Sequence, residues 1–89
     1  MFRVVLECLD VPEAAGAEAA TDIERDFREH RPHHRNVRCT FGEGKLRLEA
    51  ENDFDADGLA LMDEFSDCIS AYIATPFDGY LRLVSSRVI

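Results

Sequence analysis

Eighty-nine residues make a single domain, residues 1–89, which at this size buries roughly 60–65% of its unfolded surface and has little stability to spare. Apolar residues are 46% of the chain, but ten of them are alanines, so the core must come from Val, Leu, Ile, Phe and Tyr, and a second copy would help to complete it. A net charge of −8 argues against nucleic acid, and no stretch approaches the ~20 apolar residues of a membrane span, so neither is expected as a partner.

In chain order, Phe2–Leu9 alternates as a strand, with Phe2, Val4, Leu6 and Cys8 on one face and Arg3 and Glu7 on the other. Asp10 and Pro12 break it. Glu13–His30 then carries Ala20, Ile23 and Phe27 at helical spacing, and Pro32 ends the helix. Gly16 weakens its start, and Thr21 to Glu24 fits a capping box, so a later beginning is open. Asn36–Phe41 is a short strand with Val37, Cys39 and Phe41 inward. Gly42-Glu-Gly44 forms a three-residue turn, and Lys45–Glu51 alternates cleanly with Leu46, Leu48 and Ala50 inward. Together they are a β-hairpin.

Asp55–Ala74 reads as a second helix, with Leu61, Phe65, Cys68 and Tyr72 along one stripe. Pro76 stops it, Pro76 to Gly79 is a turn, and Tyr80–Ile89 closes the chain as a strand. The order strand, helix, strand, strand, helix, strand predicts an α+β fold. Right-handed crossovers put the first and third strands in the centre of a four-stranded antiparallel sheet, with two helices on one face: a ferredoxin-like βαββαβ two-layer sandwich. That architecture hosts many unrelated functions and transfers none.

Cys8, Cys39 and Cys68 are odd in number and form no CxxC pair, so neither a disulfide framework nor a zinc ribbon is expected. All three fall on inward faces, as buried free thiols of a reducing compartment do, which points to a cytoplasmic location. The opening residues hold no long apolar run behind a basic start, so no secretory leader is expected. Charge is lopsided. Arg25 to Arg38 holds five arginines and all three histidines against Asp26 and Glu29, whereas Leu48 to Leu81 holds nine acids and no base.

The sharpest motif is Asp53-Phe-Asp-Ala-Asp-Gly-Leu-Ala-Leu-Met-Asp-Glu64, which resembles the calcium loop of EF-hands. The resemblance implies side-chain oxygens from Asp53, Asp55 and Asp57, the carbonyl of Leu59, a sharp turn at Gly58 and a bidentate Glu64. A plain helix start accounts for the same letters and is the preferred reading. Asp55 would be the N-cap, with Phe54 and Leu59 as a hydrophobic staple.

His30 to Cys39 offers three imidazoles and a thiol, which could hold zinc or nickel or supply a general base. In an extended chain, however, His33 and His34 point apart and Cys39 faces the core, so no complete ligand set is visible. No nucleophile with a placed partner and no phosphate loop is present. The resulting expectation is a binding or protein-interaction module without catalytic residues, acting as a homodimer or on another protein. A calcium-binding module through Asp53–Glu64 and a small enzyme using the His30–His34 loop are the alternatives. The outward face of the sheet collects Arg3, Arg38, Arg47 and Arg82 as candidate interface or small-anion residues. Val5, Tyr80 and Val84 would add apolar contact there, with the Asn36–Phe41 edge as the other route to a dimer.

Overall fold

Strand periodicity and helical spacing resolve into six elements in the computed structural model, which describes residues 1–73 and 80–89. They are β1 (Phe2–Leu9), α1 (Glu13–His30), β2 (Arg35–Gly42), β3 (Lys45–Asn52), α2 (Leu59–Tyr72) and β4 (Tyr80–Val88). The sheet is antiparallel throughout with order β2-β3-β1-β4, so β1 and β3 are central, and the fold is the expected ferredoxin-like two-layer sandwich. The turn expected at Pro76 to Gly79 lies outside the described residues. No helix among the described residues is long and apolar enough to cross a membrane.

The inward strand faces and the apolar stripes of both helices make one core. Val4, Leu6 and Cys8 of β1 and Leu46, Leu48 and Ala50 of β3 meet Ala20, Ile23 and Phe27 of α1 and Leu61, Phe65 and Cys68 of α2. Tyr72 departs from its expected stripe. It is exposed, and its hydroxyl donates to Asp26 Oδ2 on α1 at 2.8 Å.

Three local features complete or differ from expectation. First, α1 spans Glu13–His30 as expected, and Gly16 is there for packing: a Cβ at this position would overlap the Phe41 ring. Second, the hairpin turn has two residues, not three. Gly42 pairs with Lys45, and Glu43 and Gly44 both have positive φ (53° and 74°), as a type I′ turn requires. The Val11 amide donates to Gly44 O at 2.8 Å and ties this turn to the start of α1. Third, β4 carries a bulge. Leu6 faces Leu83 but Val5 faces Ser85, which leaves Val84 as the extra residue.

Candidate functional site

Asn52, the last residue of β3, organises the loop into α2. Its Oδ1 accepts the amides of Phe54 (3.2 Å) and Asp55 (2.8 Å). The buried Asp55 carboxylate in turn accepts the amides of Ala60 (3.1 Å) and Leu61 (3.0 Å) in the first turn of α2. Asp55 thus caps the helix as expected, but from a distance. The helix starts at Leu59, four residues later than the sequence suggests, and the N-cap position is Gly58, left-handed at φ 73°. The Phe54–Leu59 staple does not form; both side chains are exposed, and Leu59 is the first helical residue.

The five positions of the calcium-loop resemblance are not brought together. The segment is entered from a strand, Asp53 and Asp57 are exposed, and Asp55 spends its oxygens on backbone amides. Leu59 opens the helical ladder, and Glu64 faces the loop after α1. Asp55→Ala is therefore expected to lower stability by about 1–2 kcal/mol, the usual cost of losing a helix cap, equally with and without calcium. Urea unfolding in both conditions checks this, and a cost that appears only in calcium would contradict the capping role.

The histidines behave differently from the sequence expectation. The chain after α1 turns, with the His34 amide donating to Arg31 O at 3.2 Å, so the neighbouring side chains are not sent apart. The His33 and His34 rings lie 4.3 Å apart, and both Nε2 atoms reach Glu64 of α2. His34 Nε2 is 2.9 Å from Oε1, and His33 Nε2 is 3.3 Å and 3.2 Å from Oε1 and Oε2. The His34 side chain is buried, and His33 is about half exposed beside Phe54. His30 stays apart on the surface of α1, nearest Glu29.

Because Asn52 Oδ1 is fixed by two backbone amides, its Nδ2 must face His34 Nδ1, at 3.2 Å. Nδ1 is therefore the acceptor, and a neutral His34 carries its proton on Nε2 and donates it to Glu64. Burial pushes the Glu64 carboxyl up, but the hydrogen bonds from His34 and His33 outweigh it and leave the group below its ordinary value. Arg31 completes the cluster, with Nε 3.7 Å from Glu64 Oε2 and 4.0 Å from Asp26, and its guanidinium over Phe27. The histidines are visible in the sequence, and Glu64 is visible as part of another motif; their meeting, and the parts played by Asn52 and Arg31, are not. The cysteines are buried and free, and burial raises the thiols of Cys8 and Cys39 to about 11 and about 12, which keeps them protonated.

The outward face of the sheet pairs most of its arginines internally. Glu7, nearly buried at 9% exposure, accepts from Arg82 Nε (3.2 Å) and Nη2 (2.7 Å) and lies 3.5 Å from Arg47. Arg3 and Arg47 both approach Glu49. Arg38 sits opposite Glu49 in register and is exposed. The Arg82 hydrogen bonds hold the Glu7 carboxyl below its ordinary value despite the burial that pushes it up. The stability this adds is present above the unfolded-state pKa and is lost as pH falls through the folded one. Val5 is buried here, flanked by Arg3 and Glu7 and opposite Glu49 and Ser85, and is not free for contact.

The two edges of the sheet differ. At β2, Glu24 of α1 accepts the Cys39 amide at 2.9 Å, and Cys39 and Phe41 pack beneath that helix. At β4, Tyr80 (62%), Leu83 (42%), Val84 (43%) and Val88 (75%) are all exposed, and no described element covers the outer edge. No protein-family model matches the chain, and no curated protein matches it either.

Proposed function

We propose that this domain is a protein-interaction module whose partner is a second copy of itself, joined through β4. The observation that carries the reading is the nine-residue outer strand with apolar side chains exposed along it. An uncovered edge offers unpaired amides and carbonyls to another strand, and natural proteins usually protect such edges. Here the protection among the described residues amounts to the Val84 bulge and two arginines, with no proline in the strand and no described helix over its outer edge. Scattered exposed apolar residues are ordinary, but four of them concentrated on one edge strand are not.

Charge selects the occupant. The chain carries −8, so two copies repel wherever acidic surfaces meet. β4 contains no acid and bears Arg82 and Arg87, so two β4 strands can approach without bringing carboxylates together. A two-fold axis places the same strand on both sides, which is the usual symmetry of small oligomers. β2 is equally free of acids, but its edge is engaged by Glu24. Arg82 is largely committed to Glu7 and serves to hold β4 to β1, rather than to receive a ligand.

Amide hydrogen exchange tests this on the intact chain. The β4 amides should exchange more slowly at high than at low protein concentration, while those of central β1 should not change. Exchange from β4 that is fast and independent of concentration would contradict self-association through this strand.

A further inference from the structure

We infer that His33, His34 and Glu64 form a binding site for a divalent late first-row transition ion of the zinc class, independent of the β4 surface. Their ligand atoms all lie within 4.8 Å of one another. Oε1 of Glu64 faces both imidazoles, at 2.9 Å from His34 Nε2 and 3.3 Å from His33 Nε2, while Oε2 lies 3.2 Å from His33 Nε2 and 3.7 Å from Arg31 Nε. An ion held at about 2.0–2.2 Å from each ligand sets tetrahedral ligand atoms about 3.4 Å apart, so the two Glu64–imidazole spacings need to open by about half an ångström or less, and the imidazole nitrogens start no more than 4.8 Å apart. Two imidazoles and one carboxylate are the borderline donor set such ions prefer, and calcium would ask for six or more oxygens. The half-exposed His33 leaves a solvent side for a water in the remaining position.

Asn52 sets the strength of the site. A metal on His34 Nε2 requires the proton to sit on Nδ1, where a second-shell acceptor should receive it. The present Asn52 offers a donor there, because its oxygen is occupied by the Phe54 and Asp55 amides. Binding must therefore turn the Asn52 amide and release those two backbone bonds, which weakens the site and couples it to the loop that starts α2. An aspartate at position 52 removes the conflict. One carboxylate oxygen can keep the backbone amides while the other accepts His34 Nδ1–H.

The test is titration of the full chain with Co²⁺, followed by visible absorption, and displacement by Zn²⁺. Expected are the intense bands of low-coordinate cobalt and their loss on adding zinc. His33→Ala and Glu64→Gln should each weaken binding about tenfold or more. His33 is exposed enough for its variant to fold, and circular dichroism verifies that. Asn52→Asp should tighten binding by about tenfold. His30→Ala, which alters an imidazole outside the cluster, should change nothing. The inference is overturned if cobalt shows only its weak aqueous spectrum, if folded His33→Ala binds as tightly as the parent, or if His30→Ala weakens binding as much as His33→Ala.

Discussion

Phe65→Ala is expected to lower stability by about 3–5 kcal/mol, the range for removing a buried phenylalanine. The side chain is fully buried on the face of α2 that meets the sheet, in one core with Leu61, Cys68, Leu6 and Leu48. The loss has two parts: the apolar surface is no longer transferred from water, and the remaining core cannot collapse into the space. Domains are stable by about 5–15 kcal/mol, and one this small belongs near the lower end, so much of the reserve disappears. Thermal or urea unfolding measures it. An unchanged midpoint would mean that Phe65 does not face the core and that the packing of α2 described above is wrong.

Gly58→Ala is expected to cost about 2–5 kcal/mol from two separate sources. A residue with a Cβ pays roughly 1–2 kcal/mol to hold the left-handed conformation, here φ 73°. The added methyl would also lie 3.0 Å from Val4 Cγ1 and 3.1 Å from Leu83 Cδ1, and overpacking typically costs about 1–3 kcal/mol. Gly58 is the point where the chain leaves the Asn52–Asp55 loop and enters α2 over β1 and β4. The calcium-loop resemblance needs a glycine here too, for a turn around an ion. The two accounts separate on addition of calcium, which should leave the destabilisation of Gly58→Ala unchanged. A midpoint for Gly58→Ala equal to that of the parent would contradict both the strain and the close packing.

Much of this fold is legible in the sequence because the signals are local. The alternation of Lys45–Glu51 and the stripe Leu61, Phe65, Cys68 each report a periodicity that the structure keeps, and Gly44 marks the hairpin turn. Boundaries were less legible where capping is indirect. Asp55 resembles an adjacent N-cap, yet it reaches the helix across Gly58, and only tertiary placement shows this. Gly16 reads as a helix weakness because its reason, the Phe41 ring, comes from another element. The Val84 bulge has no sequence mark, since valine suits an ordinary strand equally well.

The candidate sites follow the same rule. His33 and His34 are visible as neighbours, but their side chains converge only because the backbone turns between Arg31 and His34. Glu64, some thirty residues away, enters from α2, and no spacing rule connects it to them. The outward arginines were readable from period two. Their internal pairing depends on register, which sets Glu7 opposite both Arg47 and Arg82. The asymmetry between the two edges is not readable at all, because it depends on α1 covering β2 while no described element covers the outer edge of β4.

If β4 joins two copies of this chain, as proposed, sedimentation equilibrium reads the doubled mass. At high micromolar concentration and physiological salt, the parent should show twice the 10.1 kDa chain mass. A variant carrying Val84→Lys and Val88→Lys places charges at exposed edge positions that leave the core untouched. It should sediment as a monomer with an unchanged fold by circular dichroism. A parent chain that stays at 10.1 kDa under these conditions, or a doubly substituted chain that still doubles its mass, would contradict the account.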